Sequence, residues 1–169
     1  NIINPPSDSE FVITVGATES PSSIFKADYS SIGSNMVDYV KPDIVCFSPM
    51  GTSLSAPIIT GLIASMLEID NTLTPEQVKD ILHKSSTLYP YPNNYVGYGI
   101  PDAEKVWKLI ENPDLDLSIV KEKKVTENEV LILTWKEDIV IYEKSTEIFV
   151  EKEYKTKKLI ARRIYKFLQ

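Results

Sequence analysis

Two kinds of hydrophobic pattern divide the chain, and the change between them falls near Pro113. In the first part no residue from Leu54 to Leu67 is charged, and Ile58, Ile59, Leu62, Ile63, Met66 and Leu67 cover more than one helical face. A helix apolar nearly all round belongs in a core, so this segment predicts a central helix. Gly51 permits a sharp turn ahead of it. Thr52 and Ser53 stand where N-caps and first-turn residues belong, and Pro57 is expected near the first turn, where a missing N–H costs little. Residues 11–17 are β-branched and almost continuously apolar, which predicts a strand covered on both faces, as in a parallel sheet flanked by helices. Thr74 opens a second helix as its N-cap, with Pro75 in the first turn and Gln77 as the reciprocal partner of a capping box. Val78, Ile81 and Leu82 form its apolar stripe, and Glu76, Lys79, Asp80 and His83 share the opposite, solvent-facing side. In a third helix Ala103, Val106, Trp107 and Ile110 recur at helical spacing until Asn112-Pro113 stops it, with Trp107 expected as a core anchor.

Beyond Pro113 the period shortens. Residues 130–135, 139–142 and 148–150 read as strands, with turns at 136–138 and 143–146, and a further strand or short helix is expected within 159–168. The expected organisation is therefore an α/β unit over 1–113, a parallel sheet with helices on both faces and a buried central helix, followed by a small antiparallel β-rich extension over 114–169. The extension is short for an independent domain.

Charge supports the same division. Up to Asp114 there are 6 lysines, no arginine and 14 acidic residues, a net of −8, whereas the remainder carries 12 bases and 10 acids, a net of +2. The late basic run from Lys155 to Lys166 is interleaved with acids just upstream and reads as a solvated face, so no nucleic-acid partner is expected. The longest apolar run, about fourteen residues in the central helix, is short of a membrane span, and the first residues lack the charge and hydrophobic pattern of a secretory leader. A single cysteine, Cys46, excludes an internal disulfide and a cysteine-based zinc site, and its place at the end of an apolar run predicts an inert core thiol.

The candidate chemistry lies at the start of the central helix. A serine there holds its hydroxyl and its own N–H at the positive end of the helix dipole, where developing negative charge is stabilised. The segment reads Gly51-Thr52-Ser53-Leu54-Ser55-Ala56-Pro57, with Gly61 four residues on. It resembles the nucleophile motif of the subtilisin-like serine proteases, the subtilases, written G-T-S-x-(A/S)-(A/S)-P. Residues 12–17 are similar to the family strand V-I-x-V-G-A, residues 29–33 to F-S-S-x-G with Tyr29 in place of phenylalanine, and residues 41–46 to K-P-D-I-V-A. Residues 73–79 resemble L-T-P-x-Q-V-K, and residues 97–103 match G-Y-G-x-P-D-A. The order of these motifs carries the resemblance, which covers the C-terminal half of a catalytic domain. One departure is that only Phe47-Ser48-Pro49-Met50 separate the K-P-D-I-V-A-like segment from Gly51, where the family has a loop of roughly ten to twenty residues.

The resemblance implies peptide-bond hydrolysis through an acyl-enzyme on Ser53, with Thr52 supporting the oxyanion hole. A serine hydroxyl needs a base, and the base needs an orienting carboxylate. In the family these come from D-S/T-G and H-G-S/T elements upstream of the nucleophile, and neither appears before Ser53. His83 follows the nucleophile and is read as a surface histidine. The family oxyanion asparagine has no match at Asn1 or Asn4. The expectation is a catalytic-domain portion that takes a peptide or protein substrate, is completed by an N-terminal portion of the same domain, and is inactive alone. The second reading is a catalytically incomplete subtilase-like binding or scaffolding module. No cofactor or metal site is identifiable, calcium being a family trait only. Family habit favours secretion or the cell envelope, and the cytoplasm stays open.

Overall fold

The computed structural model describes residues 1–117 and four strand segments beyond them, 129–130, 138–144, 150–157 and 165–166. In chain order the elements of the first part are β1 (Val15–Thr18), β2 (Ile44–Phe47), α1 (Thr52–Ile69), α2 (Pro75–Ser85) and α3 (Ala103–Glu111). β1 and β2 pair in parallel, Val15 opposite Ile44 through Thr18 opposite Phe47.

β1 is shorter than residues 11–17 predict. Its ladder starts late because side chains take the backbone groups upstream. The Asp43 carboxylate accepts the Thr14 N–H at 2.7 Å, and the Val12 carbonyl accepts the Lys41 ammonium at 2.7 Å. Phe11, ahead of these ties, is 93% exposed rather than covered.

One hydrophobic core lies between the sheet and the helices. Ile44 and Cys46 of β2 meet Ile59 and Met66 of α1, while Ile81, Leu82, Val106 and Leu109 come from α2 and α3. Leu115 and Leu117, past the expected division at Pro113, also pack against it. The capping box of α2 forms as expected, with Gln77 N–H donating to Thr74 Oγ1 at 3.3 Å and Thr74 N–H to Gln77 Oε1 at 2.8 Å. Asp102 caps α3 by accepting the N–H groups of Glu104 and Lys105. Val106 and Leu109 define the buried face of α3, and Trp107, about 100° round the helix from Val106, is 51% exposed instead of anchoring the core.

The central helix departs most from expectation. α1 is apolar all round, yet its buried residues are only Ser55, Ile59 and Met66. That stripe packs towards β1, β2 and α3. Leu54, Ile58 and Leu67 are exposed, because no described residue covers the other side.

Among the described residues, two strand pairs belong to the later part. β4 (Asp138–Lys144) and β5 (Val150–Lys157) run antiparallel with an irregularity at Glu143/Lys144, and β3 (Glu129–Val130) pairs antiparallel with β6 (Tyr165–Lys166). The rest of the expected strands and turns at 131–137, 145–149 and 159–168 lies outside the described residues, apart from β6.

Candidate active site

Ser53 is delivered by the four-residue connection between β2 and α1. This connection is pinned from beneath. Buried Ser48 donates its hydroxyl to the Gly51 carbonyl at 2.7 Å, and the Tyr29 hydroxyl donates to the Ser48 carbonyl. Gly51 is the helix N-cap, so Thr52 and Ser53 are the first two helical residues, and no side chain caps the end. The Ser53 N–H is one of the donors that a helix start leaves without an intrahelical acceptor. Ser53 itself is exposed, and Thr52 beside it is half-buried.

Pro57 sits deeper in the helix than the first turn, at the sixth helical position. It therefore removes the N–H that the Ser53 carbonyl would accept four residues along. The backbone of Ser53 is released from the helix ladder on the carbonyl side as well as the amide side. The site lies beyond the carboxyl end of a parallel strand, where open α/β sheets present ligand-binding residues.

The arrangement supplies a hydroxyl, an N–H and a helix dipole at one point. It does not supply a base. Among the described residues none hydrogen-bonds Ser53 Oγ, and the first turn of α1 holds no acidic side chain. Also among the described residues, no three His, Cys, Asp or Glu side chains gather as a metal-ligand set.

His83 is elsewhere, and it is not the surface histidine that the pattern of α2 predicts. Its side chain is 17% exposed, stacks on Tyr98 with ring centroids 4.1 Å apart, and places Nε2 3.3 Å from Asp43 Oδ1. Asp43 lies just before β2 and Ser53 lies after it. The four strand residues alone put about 13 Å between them at about 3.3 Å per residue, so His83 and Ser53 sit at opposite ends of β2.

Asp43 is a buried hub. Its carboxylate, 2% exposed, meets Lys41 at 2.7 Å, Lys79 at 3.1 Å and His83 at 3.3 Å, besides the Thr14 N–H. Burial alone would raise its pKa. Hydrogen bonds from His83, Lys41 and the Thr14 N–H, with the Lys41 charge, outweigh that and hold the carboxyl below its ordinary range. For Lys41, also 2% exposed, burial is the larger effect and draws the ammonium down against the pull of Asp43. The Asp43 main chain is engaged too, since its carbonyl accepts Tyr98 N–H at 2.9 Å. Gly97, at φ +57°, passes so close that a Cβ would collide with the carbonyl oxygens of Pro42 and Asp43. The K-P-D, L-T-P-x-Q-V-K and G-Y-G motifs thus converge on one residue, the first two through the Asp43 carboxylate and the third through its main chain. Sequence reasoning quoted Asp43 only as part of a strand motif. The signal that would have found it is a Lys-Pro-Asp placed immediately before a fully apolar strand.

Cys46 is the core thiol its pattern predicts. It is buried, and Ser55 Oγ donates to its carbonyl at 3.3 Å. Burial pushes the thiol pKa up against a hydrogen bond with Ser55.

Comparison with known proteins bears on the family and the fold. A model of the subtilase family matches residues 1–99. The serine protease AprX of Bacillus subtilis (strain 168) is 31% identical over 137 residues, a match covering 60% of this chain and 31% of that protein. Among solved structures, the Clostridium perfringens CspB protease superposes with a TM-score of 0.56 at 26% identity, covering 66% of this chain and 29% of that one. A protease of Pseudoalteromonas arctica shares the fold at a TM-score of 0.50 and 20% identity, covering 63% of this chain and 38% of its own. The chain thus spans about a third of the length of the relatives it matches.

Proposed function

The chain belongs to the subtilase family of serine peptidases, and on that footing we propose that it carries the nucleophile of an endopeptidase whose acid–base pair lies outside these 169 residues. The observation that carries the reading is α1 itself. It holds Ser53 at an uncovered N-terminus and leaves an apolar face, with Leu54 and Ile58 on it, open to solvent. An apolar helix in that state is half of a packing arrangement. By length and composition its 18 residues would also suit a bilayer. A family fold that packs a sheet on one side accounts for the same apolarity.

In the proposed reaction Ser53 Oγ attacks the substrate carbonyl carbon while its proton passes to a histidine of the completing portion. The carbonyl oxygen takes up the negative charge and is met by the Ser53 N–H at the helix dipole, with Thr52 supporting that backbone. The C–N bond breaks as the histidine returns the proton to the leaving amine, and water then releases the acyl group by the reverse sequence. Substrates are peptides or proteins. The β-rich extension over 114–169 is taken as a small antiparallel unit appended to the peptidase portion.

The test is labelling with a fluorophosphonate serine probe. The 169-residue chain alone is expected to stay unlabelled, and the chain mixed with the upstream portion of its parent reading frame is expected to label at Ser53. Strong labelling of the isolated chain, or none in the reconstituted pair, would sink the proposal. The lack of any described partner for Ser53 Oγ favours one other reading, a subtilase-like binding or scaffolding module, and failure of the reconstituted pair supports it.

A further inference from the structure

A concavity that Ser53 does not line is present elsewhere among the described residues. A cleft of about 660 Å³ opens at the other end of β2, above the Asp43 cluster. This is the size at which clefts hold small ligands or side chains of a partner. Its walls are aromatic, with Tyr39, Tyr91 and Tyr98 lining it, and Pro90 and Pro92 flank Tyr91.

Charge decides what such a cleft would accept. Lys79 also lines it, but its ammonium is already satisfied by Asp43 at 3.1 Å and by the Glu10 carbonyl at 2.6 Å. Asp43 is likewise spent on its own partners. The carboxylates of Glu10 and Asp38 remain at the exposed rim, and no described residue forms a hydrogen bond or ion pair with either. The Tyr98 phenol is kept protonated, because burial, with Tyr89, Asp43 and Asp80 nearby, pushes its pKa up. His83 lines the cleft too, but its ring is stacked on Tyr98 and its Nε2 is turned to Asp43. The rings of Tyr39 and Tyr91, with carboxylates at the mouth, are therefore what attract a cation, through the ring quadrupole and through direct charge pairing. The surrounding chain reinforces this, since residues 1–114 carry a net charge of −8.

We propose that this cleft binds the cationic side chain of an extended peptide, an arginine or lysine seated against the tyrosines with Glu10 and Asp38 at its mouth. The tyrosine–proline wall suits an extended backbone, as aromatic-lined grooves suit polyproline II segments. The site does not depend on Ser53 being catalytic. A peptide held here lies at the far end of β2 from Ser53, so it is a second contact for a protein rather than the point of attack.

The test uses the full chain and fluorescein-labelled pentapeptides Gly-Pro-Arg-Pro-Gly, Gly-Pro-Gln-Pro-Gly and Gly-Pro-Glu-Pro-Gly, read by fluorescence anisotropy. The arginine peptide is expected to bind about tenfold more tightly than the glutamine peptide, the fold-change that one desolvated cation–π contact of about 1.4 kcal/mol gives. Tyr91→Ala and Asp38→Asn, both at exposed positions, are each expected to weaken it about threefold to tenfold. Ile58→Ser on α1 is expected to leave it unchanged, and added salt is expected to weaken it. Equal binding of the arginine and glutamine peptides, indifference to Tyr91→Ala, or no binding at about 10 mM peptide would each overturn the proposal. Circular dichroism of each variant separates lost binding from lost folding.

Discussion

Replacing Asp43 by asparagine keeps the shape of the hub and deletes its charge, so it isolates the electrostatic contribution. Lys41 is then 2% exposed with its charged partner gone and only neutral acceptors within reach, the Val12 carbonyl and the amide oxygen of the substituted side chain. Charges 2.7 Å apart attract by about 6 kcal/mol at an effective dielectric of about 20. Much of that is spent on desolvation in the intact protein. Removing one partner leaves the desolvation cost and deletes the attraction, which measures about 3–5 kcal/mol for buried pairs. Against a total stability of about 5–15 kcal/mol for a domain, Asp43→Asn is expected to unfold at a much lower urea concentration. The assay is urea titration of the full chain at neutral pH by circular dichroism. Lys41→Met should cost less, because Asp43 keeps Lys79 and His83. The double variant should recover part of the loss, with a coupling of at least about 1 kcal/mol. A loss below about 1 kcal/mol for Asp43→Asn, the value of a surface pair, would refute the reasoning. The pH dependence has a definite sign. The folded pKa of Asp43 is depressed, so its contribution is fully present above the unfolded carboxyl value of about 3.9 and fades as pH falls through the folded value. The native chain should therefore lose stability in acid below about pH 4 more steeply than the asparagine variant.

Two further outcomes are expected. Gly97→Ala places a Cβ against the Pro42 and Asp43 carbonyls at a positive φ, and it should cost more than about 2 kcal/mol in the same titration or prevent soluble expression. Cys46 should react with iodoacetamide far more slowly in the folded chain than in urea, as followed by mass spectrometry, because its thiol is buried and its pKa raised.

The sequence made the α/β elements legible because their signals are local. Thr74 to Gln77 is a self-contained capping box, and Ile44 to Cys46 is apolar without interruption. Ser53 was legible as a candidate because its motif is contiguous. Three other features depended on tertiary context. The length of β1 was set by Asp43 and Lys41, 29 residues away from Thr14 and Val12. Trp107 fell outward because Val106 and Leu109 turn the buried face of α3 away from it. His83 looked solvent-facing on its helix, and only the meeting of α2 with the start of β2 shows that it has a partner.

That meeting also bears on the order of assembly. The Asp43 carboxylate draws its ligands from Thr14, 29 residues upstream, and from His83, 40 residues downstream. Until α2 docks, a carboxylate at the foot of the sheet lacks two of its partners, and burying it in that state is penalised. The β1–β2 pair and α2 are therefore expected to form together or not at all, as one cooperative unit closed by long-range contacts. Hydrogen exchange would show this as matched protection of amides in β2 and α2, with the N-terminus of α1, uncovered around Ser53, opening first.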